Sequence, residues 1–156
     1  MDTITVEMLR EWLAEGRSVT ILDVRPAAER AEWSIPGSLH VDAYAALKEH
    51  NPMALANFEL PDAGPVVTVC AAGKTSQIAA EQLAARGIPV FSLAGGMKAW
   101  SLAWNTAELV VPQSKARIIQ LRRTGKGCLS YLIGSDQEAF VIDASLNPQV
   151  YLALAH

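Results

Sequence analysis

The chain reads as an α/β protein: a central parallel sheet with helices on both faces, followed by a short C-terminal antiparallel β meander. Three features of its 156 residues predict this. Runs such as Val66-Val67-Thr68-Val69 are apolar without alternation, as in strands buried on both faces of a parallel sheet. Strand-like and helix-like segments alternate in the order β-α-β-α-β-α up to about residue 100, which implies right-handed crossovers over one sheet. After a composition shift at 106–115, three strand candidates follow with only turns between them.

Thr5 can cap a first helix, on which Val6, Leu9, Trp12 and Leu13 make an apolar stripe before Gly16 ends it. Ser18 to Arg25 is a buried strand carrying Asp23 and Arg25 at its polar end. Pro26 suits the first turn of a short helix reaching Trp33, and Ile35-Pro36-Gly37-Ser38 turns into the brief strand Leu39 to Val41. Asp42 is placed to cap a helix from Ala43 to Glu49. The Asn51-Pro52, Pro61-Asp62 and Gly64-Pro65 pairs make His50 to Gly64 a loop with a helical turn. The strand from Val66 ends on Cys70. Ser76 to Arg86 is helical and Gly87 is its C′ residue. Pro89 to Leu93 is a further strand, and Ala94-Gly95-Gly96 leads into a helix through Met97, Ala99 and Trp100. Val110 to Ser114 reads as a linker. The tail strands are Ala116 to Leu121, Leu129 to Gly134 and Ala139 to Asp143, with a helical segment from Pro148 to Ala155.

With 51% hydrophobic residues the chain can build a substantial core. Its net charge of -3 gives no electrostatic case for a nucleic-acid or anionic membrane partner. No apolar run approaches the roughly 18–20 residues of a membrane helix, and Met1 to Thr5 lacks the segments of a signal peptide. The expectation is a cytoplasmic protein. Cys70 and Cys128 are too few for a disulfide framework, so reduced thiols are expected. Cys128 reads as a small apolar strand residue, and the four tryptophans as packing.

Cys70 opens the segment Ala71-Ala72-Gly73-Lys74-Thr75-Ser76 between a strand and a helix, where α/β sheets place ligands. A nucleotide-binding P-loop would need a glycine at position 68, which is threonine. A cysteine phosphatase would need an arginine to wrap the phosphoryl group, and the loop offers only Lys74, Thr75 and Ser76. A Cys-His pairing stays open, since His40 or His50 could approach in space. No zinc-type ligand pair occurs, and no metal is expected.

The loop supplies consecutive backbone N–H groups from Ala71 to Ser76, with Gly73 free to take a positive φ. These amides converge on the Cys70 sulfur, and the positive end of the helix dipole favours its thiolate. Lys74 adds a cation. A lone thiolate in an amide cradle, without a resolving cysteine, suits attack on a sulfur–sulfur bond to leave a persulfide. An inert buried cysteine at a strand end is the other reading of the same spacing.

These residues carry a resemblance to a known family. From about Val6 to Trp104 the chain resembles a single rhodanese domain, through Leu22-Asp23-Val24-Arg25 with Glu29, Ile35-Pro36-Gly37-Ser38-Leu39-His40, Cys70-x-x-Gly73-x-x-Ser76, and Leu93-x-Gly95-Gly96-x-x-x-Trp100. The resemblance implies a sulfurtransferase in which Cys70 cycles through a covalent persulfide without a further cofactor. The donor would be thiosulfate or a low-molecular-weight persulfide such as glutathione persulfide, and the acceptor a thiol or cyanide. Ala71 to Ser76 would form the substrate-binding loop, with Lys74, Thr75 and Ser76 orienting donor or acceptor, and Asp23 and Arg25 would be structural supports. Many such loops carry arginines one and five residues after the cysteine, where this chain has Ala71 and Thr75. That departure shifts the expected donor toward persulfides.

The tail, with Gly127 to Ile133 and Phe140-Val141-Ile142-Asp143, resembles the first strands of a metallo-β-lactamase fold as found in persulfide dioxygenases. The His-x-His-x-Asp-His metal motif is absent, leaving only His40, His50 and His156. The organisation implied is a rhodanese-like domain over 1–107, a linker over 108–116, and an incomplete, non-catalytic β fragment over 117–156. Either a fragment of a longer fusion or a chain ended early is expected, with a persulfide dioxygenase domain as the partner expected in cis or trans. A non-catalytic docking or sulfur-delivery module for that enzyme is the alternative function. Unpaired edges on the tail strands point to docking on the first domain or to a homodimer through those strands.

Overall fold

The computed structural model describes residues 2–59, 61 and 64–155. Asp62 of the Pro61-Asp62 turn, and His156, lie outside the described residues. The chain forms two compact units, 1–100 and 101–156.

The first unit is a five-stranded parallel sheet in the order β1-β5-β4-β2-β3, with helices on both faces. Its strands are β1 (Thr3–Ile4), β2 (Thr20–Asp23), β3 (Leu39–His40), β4 (Val66–Val69) and β5 (Val90–Leu93). Its helices are α1 (Val6–Ala14), α2 (Ala27–Glu32), α3 (Tyr44–Lys48), α4 (Thr75–Ala84) and α5 (Gly96–Trp100). β2 and β4 are buried along their whole length, in keeping with their lack of polar–apolar alternation. Central β4 pairs with β2 on one side and β5 on the other, so Cys70 emerges at the C-terminal edge of the sheet interior.

Side chains alternate across a strand, and the α4 face of the sheet collects Leu22, Val24, Val66 and Cys70 against Leu47, Leu55, Ala79 and Leu83. Burying each of the leucines and valines among them stabilises the fold by roughly 1.5–3 kcal/mol. One strand adds to the expected set and one cap moves. The pair Thr3–Ile4 forms β1 beside β5, with Ile4 fully buried, because two residues are too few to show a period. Asp42 does not cap α3, whose N-cap Ala43 makes no side-chain cap bond. Its Oδ2 instead accepts from Ala27 N at 3.0 Å, at the start of α2, where Pro26 has no side chain to do so. Thr5 caps α1 as expected, accepting from Met8 N at 3.2 Å.

The second unit is an antiparallel meander, β6-β7-β8-β9. Its elements are β6 (Trp104–Val110), β7 (Arg117–Arg123), β8 (Leu129–Ser135), β9 (Glu138–Ile142) and α6 (Pro148–Ala155). The linker reading of 108–116 and the boundary at 107 are corrected here. Residues 104–110 pair with β7 along their length, from Trp104 opposite Arg123 to Val110 opposite Arg117. β6 is exposed at six of its seven positions, so no apolar alternation announces it, and backbone pairing makes it a strand. Cys128 lies just before β8 and is exposed, not a packed strand residue.

One face of the meander packs Ile119, Leu121 and Leu132 against Tyr151 and Leu154 of α6. The Tyr151 hydroxyl joins Ser130 Oγ at 2.8 Å and accepts from the N–H groups of Ser145 at 2.9 Å and Leu146 at 3.2 Å. Burial alone would raise the pKa of this phenol, and the hydrogen bonds from Ser130, Ser145 and Leu146 outweigh it and hold it below the ordinary tyrosine value. Tyr151→Phe orphans two backbone amides and a serine hydroxyl, so it should destabilise the second unit by about 1–3 kcal/mol. Hydrogen exchange of the β7 and β8 amides is the check: protection should fall there and hold in β4.

Candidate active site

Cys70 follows β4 directly and is 2% exposed. The chain then turns through Ala71 to Lys74 into α4. Gly73 has φ +84°, and a Cβ there would lie 2.8 Å from Gly95 N. Its conformation aims its own N–H back at the sulfur, with Gly73 N 3.2 Å from Cys70 Sγ. Among the described residues it is the one backbone amide that donates to Sγ, where the sequence suggested convergence from Ala71 to Ser76.

The loop's orientation is set from α5. Met97 N donates to the Cys70 carbonyl at 2.8 Å and Lys98 N to the Ala71 carbonyl at 2.9 Å. These bonds hold two carbonyls toward α5 and away from the space over the loop. They require the two backbones to touch. At Gly96, φ +55°, a Cβ would overlap the Cys70 carbonyl oxygen and sit 2.7 Å from Gly73 N. Gly95, φ +69°, lets the chain turn into α5 at that distance.

The side chains expected to handle substrate separate into two groups. Ala72 and Lys74 are exposed and Ala71 is half-buried. Thr75 and Ser76 are buried, at 6% and 0% exposure. Ser76 Oγ lies 3.4 Å from Cys70 Sγ on the protein side and 2.8 Å from Ser92 Oγ of β5. Lys74 is thus the one exposed cation of the 71–76 loop.

Asp23 and Arg25 form a buried pair at the end of β2. Arg25 Nη2 is 2.7 Å from Asp23 Oδ2, Nε contacts both carboxylate oxygens, and Nη2 also donates to the Trp33 carbonyl at 2.8 Å. Arg30 approaches Asp23 Oδ2 at 3.5 Å and donates to Ser38 through both Nη atoms. His40 Nε2 lies 2.8 Å from the Arg25 carbonyl, which can only accept, so Nε2 carries the hydrogen. Among the described residues neither His40 nor His50 hydrogen-bonds Cys70, and no three His, Cys, Asp or Glu side chains come together in a way that could hold a metal ion. Asp23, Arg25 and His40 form a network between β2, β3 and α2. Removing one partner of such a buried pair costs about 3–5 kcal/mol.

Residues 5–103 match the rhodanese-like domain family. The chain belongs to that family. A rhodanese-like domain protein from Staphylococcus aureus is 33% identical over 64% of this chain and 91% of its own, with a TM-score of 0.52. A rhodanese-related protein from Thermoplasma volcanium is 26% identical over 64% and 90%, also with a TM-score of 0.52. A human single-domain sulfurtransferase is 28% identical over 64% and 95%, with a TM-score of 0.50. The rhodanese-like span takes in the Cys70 loop, the Gly95-Gly96 turn and the Asp23–Arg25 pair. Residues 104–156 lie beyond it.

Sequence reasoning about this rhodanese-like unit missed three parts of the site: the α5 amides, the role of Gly96, and Ser92. The adjacent glycines and a serine within Val-Phe-Ser-Leu were the available signals. Gly96→Ala should force the loop off α5, at about 1–3 kcal/mol from the left-handed φ and further cost from the overlap. The variant is expected to lose stability to urea and to alkylate at Cys70 with altered kinetics, while Ala99→Gly, three residues on, keeps the parent alkylation rate.

Proposed function

We propose that the chain is a sulfurtransferase in which Cys70 accepts sulfane sulfur from thiosulfate or a low-molecular-weight persulfide and passes it to a thiophilic acceptor. The observation that carries this reading is a cysteine at the C-terminal edge of a parallel sheet whose sulfur receives the Gly73 N–H at 3.2 Å while the neighbouring carbonyls are held away by α5. Membership of the rhodanese-like family and likeness to a human single-domain sulfurtransferase support it.

In this mechanism the Cys70 thiolate attacks the outer sulfur of the donor, and the donor's sulfur–sulfur bond breaks with its electron pair leaving on sulfite or a thiolate. The terminal sulfur of the resulting persulfide then lies over the loop, where the amides at the start of α4 offer hydrogen-bond donors without competing carbonyls. Attack by cyanide or a thiolate removes it and returns the pair to Sγ. The buried Asp23–Arg25 pair supports the sheet edge and takes no part in the transfer. With Lys74 as the loop's one exposed cation, a thiosulfate dianion gains less than it would from an arginine fork, so persulfide donors such as glutathione persulfide are favoured.

The same shortage of loop cations favours a second reading, in which the unit docks on a persulfide dioxygenase or delivers sulfur to it without turnover of its own. Intact-mass spectrometry separates the two. Incubation with thiosulfate or glutathione persulfide should add one sulfur, about 32 Da, which cyanide removes and Cys70→Ser prevents. An unchanged mass with both donors defeats the catalytic reading and leaves the docking one.

A further inference from the structure

Three hydroxyls lie together beneath Cys70, where the surrounding strands otherwise supply apolar side chains. Thr68, Ser76 and Ser92 are exposed by no more than 1% each. Thr68 and Ser92 stand opposite one another in the β4–β5 register, on the face that α4 covers. The Thr68 hydroxyl is committed as a donor, with the Ser76 carbonyl at 2.8 Å and the Phe91 carbonyl at 3.2 Å. Ser76 and Ser92 are arranged differently. Their Oγ atoms are 2.8 Å apart, and among the described residues their side-chain hydrogen bonds run only to each other and from Ser76 to Cys70 Sγ.

A pair of hydroxyls ending on a sulfur can run in either direction without moving a heavy atom. When the sulfur is a neutral thiol, its S–H donates to Ser76 Oγ and the Ser76 O–H turns to Ser92. When the sulfur is anionic, Ser92 O–H donates to Ser76 and Ser76 O–H donates to the sulfur. We propose that Ser92 is a positioning residue for Cys70, acting through Ser76 as the far end of a two-hydroxyl relay that turns toward the sulfur whenever negative charge resides on it.

The proposal rests on the sulfurtransferase reading and deepens it, because charge leaves Sγ in one half-reaction and returns in the other. As Sγ bonds the donor's outer sulfur, the donor's own sulfur–sulfur bond breaks with its pair and the relay's donation relaxes. As an acceptor takes the terminal sulfur, the Sγ–S bond breaks, its pair returns to Sγ, and Ser76 donates again. No oxidant or reductant is consumed. A sulfur held on one side by the Gly73 amide and on the other by a reversible hydroxyl is stabilised both as nucleophile and as leaving group.

Other ionisable groups lie on the loop and on the elements joined to it or to β2: Lys74 on the loop, Lys98 on α5, Arg25 and Asp23 at the end of β2, Arg30 on α2 and His40 on β3. Ser92→Ala touches none of them. Iodoacetamide alkylation of Cys70, read by peptide mass in a Cys128→Ser background, is the test. Ser92→Ala should slow alkylation about fivefold at about pH 7, and the gap should close at about pH 10, where free thiols are ionised. Ser92→Thr, which keeps the hydroxyl, should restore the rate at least in part. Ser76→Ala with Ser92→Ala should be no slower than Ser76→Ala alone, since the two act in series. A parent-like rate for Ser92→Ala, a gap that persists at high pH, a Ser92→Thr variant as slow as Ser92→Ala, or multiplied effects in the double variant would each overturn the relay. Alkylation needs no sulfur donor, so a chain that shows the relay but gains no sulfur defeats the transfer reading alone.

Discussion

The hydrogen bonds from Met97 N–H and Lys98 N–H to the carbonyls of Cys70 and Ala71 decide which groups of the cysteine loop are available for chemistry. A peptide plane has two polar ends, and holding one end against α5 presents the other to the opposite side. The bonds exist because Gly95 and Gly96 allow the start of α5 to touch the loop, where a Cβ at Gly96 would overlap the Cys70 carbonyl. They also tie the start of α5 to the segment that joins β4 to α4. The backbone groups turned toward Cys70 are therefore set by the geometry that two glycines allow.

Beneath that loop the fold accepts polar groups in its interior and satisfies them. Burying a hydroxyl or an ion pair is costly unless its hydrogen bonds are made. Thr68 donates to carbonyls, Ser76 and Ser92 bond one another, and Arg25 is held by both oxygens of Asp23 and by the Trp33 carbonyl. The two polar clusters serve different elements. The Asp23–Arg25 pair ties β2 to α2 and β3, whereas the hydroxyls lie between β4, β5 and α4, in contact with the sulfur. On the proposed reading Asp23 and Arg25 are supports, and Ser92 acts on the state of Cys70.

Most of the first unit was legible because its central strands β2 and β4 are buried on both faces and its helices have usable stop signals. Val66 to Val69 could only be a core strand, and Gly87 ends α4 near where its position indicated. Ile4 was not legible, since a two-residue edge strand has no period, and neither was the cap that Asp42 gives α2 across 15 residues of chain. The site divides the same way. Cys70 and Gly73 follow from local pattern, but whether Ser76 faces donor or core depends on the sheet beneath it. In the second unit β6 escaped notice because its pairing is backbone to backbone and its side chains face solvent.

The two cysteines offer an internal comparison. Cys128 is exposed beside β8 with no hydrogen-bonded cradle among the described residues, and Cys70 is buried within one. Exposure alone would favour reaction at Cys128, whereas the geometry of the loop favours sulfur capture at Cys70. The most direct test uses thiosulfate labelled with a heavy isotope at its outer sulfur, followed by peptide mapping without reductant. The label is expected on the Cys70 peptide alone, with unlabelled sulfite released in equal amount. Label on the Cys128 peptide, or on neither peptide when glutathione persulfide labelled at its outer sulfur is used as well, would contradict it.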